Sequence, residues 1–77
     1  MKKLSLVQLK AEQKGKIIEI AASVGLQNKL ESMGVYKGKE LVKLSHIGLR
    51  GPVVIKTGRT ILALGHSIAT KMVVEVE

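Results

Sequence analysis

Apolar and polar residues alternate most regularly over Lys16-Ile17-Ile18-Glu19-Ile20-Ala21, where Ile18 and Ile20 share one face and Ile17 and Glu19 the other. A period of two is that of a β-strand. The period changes at Ser23. Leu26, Leu30 and Met33 stand four and three residues apart, the spacing of one helix face. Ser23 suits the N-cap, and Gly34 falls where a C′ glycine ends a helix. A helix of roughly two to three turns is predicted between them.

The rest reads as short strands punctuated by glycine. Glu40 to Leu44 is one, Val53 to Thr57 a second and Thr60 to Leu64 a third, the last two joined by a tight turn at Gly58-Arg59. Met72 to Val76 closes the series, with Met72, Val74 and Val76 on one face. Upstream, Ser5 is placed to cap a short turn that points Leu6 and Leu9 inward. Gly65 to Lys71 has room for a turn or two of helix, and His46 to Gly51 is a loop ended by Pro52. Strands this close together, with no long crossover helix, cannot form a parallel sheet. Antiparallel strands in so short a chain bury one face best by curling up. The expected fold is a mainly β, SH3-like antiparallel barrel with one inserted helix and a helical turn before the last strand, one domain over residues 1–77.

Composition sharpens this picture. The core must be aliphatic, because Phe and Trp are absent and Tyr36 is the only tyrosine. With no cysteine there is no disulfide, thiolate metal site or cysteine nucleophile. The basic start Met1-Lys2-Lys3-Leu4 is followed by no apolar run of signal-peptide length, and no stretch is long enough to span a bilayer. A cytoplasmic location is the expectation. The net charge of +7 suits an acidic protein surface, an anionic membrane face or nucleic acid, and also plain solubility.

Signs of chemistry are weak. His46 and His66 are twenty residues apart in sequence, outside any ligand-spaced cluster, and surface or hydrogen-bonding roles are expected of them. No pair among the 6 acidic residues stands out for acid–base work, and the glycines match neither a phosphate loop nor a dinucleotide fingerprint. No catalytic, cofactor or metal residue is assigned. Binding of RNA or single-stranded DNA is the rival reading, favoured by charge and opposed by the shortage of rings on which bases stack. A metal-binding or metal-sensing adaptor using His46, His66 and glutamates is a further one.

The most specific segment is Leu30-Glu31-Ser32-Met33-Gly34-Val35-Tyr36-Lys37-Gly38. Together with Gly51-Pro52-Val53-Val54-Ile55 and the run from Ala63 to Val74, it resembles the ferrous iron transport protein A (FeoA) family. The resemblance extends from about Leu4 to Glu77, and His46 to Arg50 and Gly65-His66 depart from the usual pattern. It implies an SH3-like barrel with an inserted helix, and a small cytoplasmic, non-enzymatic accessory to a bacterial ferrous iron permease. The implied partner is transporter B, a large membrane protein whose cytoplasmic part carries a GTP-binding domain. A related barrel ends some metal-dependent repressors. The start at Met1 and the lack of a DNA-reading helix pair make a free-standing accessory the expectation.

A binding module works through apolar groups that are exposed and framed by charge. Two places offer them: the helix and its exit, with Leu26, Val35 and Tyr36, and the loop with Ile47, Leu49 and Arg50. Simple core packing is the competing role for Leu26 and the expected one for Leu30 and Met33. Tyr36 is the best single anchor, since its ring packs while its hydroxyl bonds. The expected contact surface is a groove between the helix and the loop, facing an acidic patch on the permease. Self-association through the same groove is the alternative within this class.

Overall fold

A computed structural model describes residues 2–77; Met1, which opens the basic start, lies outside them. The elements run β1 (Lys2–Ser5), a 3-10 turn (Leu6–Gln8), β2 (Lys14–Ile20), α1 (Val24–Ser32), β3 (Glu40–His46), β4 (Val53–Thr57), β5 (Thr60–Leu64), α2 (His66–Ala69) and β6 (Met72–Val76). They form one antiparallel, SH3-like sheet of 6 strands in the order β1-β6-β2-β3-β4-β5. No ladder joins the edge strands β1 and β5 among the described residues.

One strand was not foreseen. Lys2–Ser5 has no alternation to announce it and becomes β1 by lying against β6, with Lys2 opposite Val76 and Ser5 opposite Val73. Its pairing is set by the partner, not by local preference. The 3-10 turn behind it is the short capped turn expected there, and it buries Leu6 and Leu9. In β2 the register shifts between Ile17 and Glu19, a bulge that breaks strict alternation and leaves Ile17 as the fully buried residue.

Helix α1 starts as predicted: the Ser23 hydroxyl accepts the Leu26 N–H at 3.2 Å. Gly34 follows its end with φ 88. Leu30 is buried, and Leu26 is half-buried against the core. Met33, expected in the core, is instead exposed. It is the C-cap, with φ -96 and ψ 5, so its side chain leaves the apolar stripe of the helix.

The core is aliphatic throughout. Leu6, Ile17, Leu30, Val35, Leu41, Val53, Ile55, Met72 and Val74 are the large side chains of its fully enclosed centre. One lysine, Lys43 on β3, is buried with them.

Candidate functional site

The loop after β3 holds the most exposed large apolar side chain among the described residues. Leu49 is 93% exposed and Ile47 59%, with exposed Arg50 beside them. Burying a leucine side chain is worth about 2 kcal/mol, so holding one in water forgoes that stabilisation unless a partner covers it. The loop is nonetheless held in shape. The Ile47 N–H donates to the Pro52 carbonyl at 3.0 Å, closing its neck. At Gly51 a Cβ would collide with the backbone carbonyl of Ile47, so only glycine fits.

The helix exit offers the second place. Tyr36 is 40% exposed, and the Lys39 ammonium lies 5.9 Å from its ring centroid. Tyr36 lines a groove of about 500 Å³ with Ile18, Ile20, Gln27 and Glu31. Gln27 fixes one wall: its side-chain amide donates to the carbonyls of Ile20 at 3.1 Å and Ala22 at 2.8 Å, tying α1 to the end of β2.

Two corrections to the expected surface follow. Val35 is 0% exposed and packs in the core, because Gly34 turns the chain inward behind the helix and the Val35 N–H bonds back to the Leu30 carbonyl at 2.9 Å. It cannot touch a partner. The groove, moreover, lies between α1 and β2 and not between α1 and the loop, and neither Ile47 nor Leu49 lines it. Exposed Val24 and Ile61 had no distinguishing signal in the sequence, since both sit in ordinary apolar patterns.

The two histidines, far apart in sequence, come together. Their rings stack with centroids 5.8 Å apart and planes 22° from parallel. His46 ends β3, opposite Val53, while Val53 pairs with Leu64 and Gly65-His66 follows. The sheet register thus carries both imidazoles to the same end of the barrel, next to the loop. His46 Nε2 and His66 Nδ1 are buried without a hydrogen-bond partner. No group of three or more His, Cys, Asp or Glu side chains converges as a metal site among the described residues. No helix among them is long and apolar enough to cross a membrane.

Fold and surface together define a small SH3-like barrel that displays apolar side chains on a glycine-bracketed loop. The FeoA domain model matches residues 4–76, and the chain belongs to that family. Among solved structures it is similar to an iron uptake regulatory protein (FeoA), with 25% identity, a TM-score of 0.84 and 97% of each chain covered. It is similar also to a FeoA-like protein from Clostridium acetobutylicum, with 25% identity, a TM-score of 0.80, and 99% of this chain and 88% of that one covered. A manganese-dependent transcriptional repressor matches at 17% identity and a TM-score of 0.86, over 97% of this chain and 42% of that one, a likeness of fold alone. No curated protein matches the chain in sequence.

Proposed function

We propose that this chain is a cytoplasmic, non-enzymatic accessory of ferrous iron uptake that binds and regulates the GTP-binding cytoplasmic part of the permease, transporter B. The observation that carries the reading is the loop at the end of β3, which keeps Leu49 and Ile47 in water on a backbone held by Gly51. Membership of the FeoA family supports a partner within ferrous iron uptake. Ile47 and Leu49 insert into an apolar patch, Arg50 pairs at its rim, and Tyr36 adds a second contact from the α1 groove. Leu26 is half-buried against the core, beside the groove residue Gln27 in sequence, and its remaining exposed surface adds to the apolar contact. The charge of +7 speeds encounter with an acidic surface.

The test mixes the purified chain with the permease's cytoplasmic domain and measures association across a salt series. Binding that weakens with salt and is lost in Leu49→Ser and Ile47→Ser is the expected result. No association even at low ionic strength refutes the proposal.

A further inference from the structure

The two edges of the sheet are not alike. β1 carries Lys2 and Lys3, both exposed, and charges on an outer strand discourage another strand from adding. β5 at the other edge reads Thr60-Ile61-Leu62-Ala63-Leu64. It has no charge, no proline and no register shift against β4. Nothing in its sequence protects it.

Its hydrogen-bonding pattern follows from the turn. Thr57 pairs with Thr60 across Gly58-Arg59, and Gly58 takes φ 59, the positive value such a two-residue hairpin turn requires. A two-residue hairpin closes on a hydrogen-bonded pair, and bonded and non-bonded pairs alternate beyond it. Thr60, Leu62 and Leu64 therefore aim their N–H and C=O groups at β4. Ile61 and Ala63 aim theirs outward, where no other backbone group engages them among the described residues. Ile61 is 61% exposed, and Ala63 is exposed as well.

We infer that this edge takes up an extended segment of a partner protein as an added strand, apolar at alternate positions and acidic at the end beside the Gly58-Arg59 turn. The two outward residues supply two donors and two acceptors, and Ile61 supplies apolar contact on the outer face. The acidic preference comes from the charges around the turn. Exposed Lys56 lies directly opposite Ile61 on β4, Arg59 is exposed in the turn itself, and the Lys39 ammonium reaches 3.9 Å from where a Gly58 side chain would begin. The same charges, within a chain of net +7, oppose a second copy at this edge. The site uses none of the loop residues assigned above and stands without them.

The test uses two acetylated, amidated peptides: Glu-Glu-Thr-Val-Thr-Val-Glu-Glu, and its counterpart with every Glu replaced by Lys. Titrating the acidic peptide into the isotopically labelled chain should shift the Ile61 and Ala63 amide resonances and slow their hydrogen exchange. The Lys peptide should bind more weakly by about ten-fold or more. Ala63→Pro removes a donor that faces outward and spares the β4 ladder; Ile61→Ser removes the apolar contact and leaves both the charge and the backbone alone. Each should weaken the acidic peptide to the same degree with the remaining resonances unchanged. Undisturbed Ile61 and Ala63 amides at millimolar peptide, or equal binding of both peptides, would overturn the inference. So would sedimentation showing two copies paired, with exchange protection confined to β5.

Discussion

The Lys43 ammonium donates to the Leu9 carbonyl at 2.7 Å, and the same nitrogen reaches the Val7 carbonyl at 3.0 Å and that of Leu6 at 3.2 Å. A cation with three donors thus gathers the carbonyls at the end of the 3-10 turn and fastens that turn to β3. A buried carbonyl that loses its partner costs about 1 kcal/mol or more. Lys43→Met fills similar space without a donor, so it should lower stability by about 2 kcal/mol in urea unfolding, read at unchanged m-value. A variant as stable as the parent would show that the three bonds contribute nothing net.

Burial also holds the Lys43 ammonium below its ordinary value of 10.5. The sign follows from proton counting. Between the lowered folded value and 10.5 the unfolded chain holds a proton on Lys43 that the folded chain has released, so stability rises with pH there. Below the folded value the penalty is fully developed and constant. The urea midpoint of the parent should therefore climb relative to that of Lys43→Met as pH rises toward 10.5. Parallel midpoint curves would refute the linkage.

Lys43 marks what could and could not be seen in the chain. Strands β2 to β6, helix α1 and the turn at Gly58 follow from periodicity and glycine placement, because each depends on near neighbours. In Lys43 the alternation of β3 was visible, with Leu41 and Lys43 on one face, but a lysine on that face reads as solvated until the carbonyls across from it are known. Strand β1 is likewise defined by β6 alone. At the candidate site, the Ile47 and Leu49 loop was legible because glycines bracket it. Val35 was misplaced because one left-handed residue, Gly34, decides which way the next side chain faces. The histidine pair needed a register across three strands that no local pattern contains.

The pair makes its own prediction. Two buried ring nitrogens without partners are a standing cost, and replacement by an apolar group of similar shape removes it. His46→Phe and His66→Phe keep a flat ring in the stack, and each should leave stability unchanged or raise it by about 1 kcal/mol. A loss of more than about that amount in urea unfolding would mean that the nitrogen is bonded after all.

Gly51 separates the shape of the loop from its chemistry. Alanine there drives a methyl group into the Ile47 carbonyl, so the backbone must move although every apolar side chain of the loop is retained. Gly51→Ala should weaken binding to the permease's cytoplasmic domain by about ten-fold or more, with a smaller effect on global unfolding because the loop lies outside the core. Unchanged affinity would show that Ile47 and Leu49 act without a fixed presentation.

Adjacent residues at the helix exit give the sharpest division between packing and contact. Val35 is wholly enclosed, and truncating it opens a cavity in the core cluster. Val35→Ala should cost about 2 kcal/mol of stability and leave affinity for the partner unchanged wherever the chain is still folded. Tyr36 faces the groove, and its ring is already part solvated. Tyr36→Ala should change stability by less than about 0.5 kcal/mol yet weaken partner binding by about ten-fold, since aromatic anchors carry a large share of interface energy. Urea midpoints and titration calorimetry on the two variants decide the matter. If Tyr36→Ala unfolds the chain or leaves binding intact, the groove is part of the scaffold and the loop alone does the recognising.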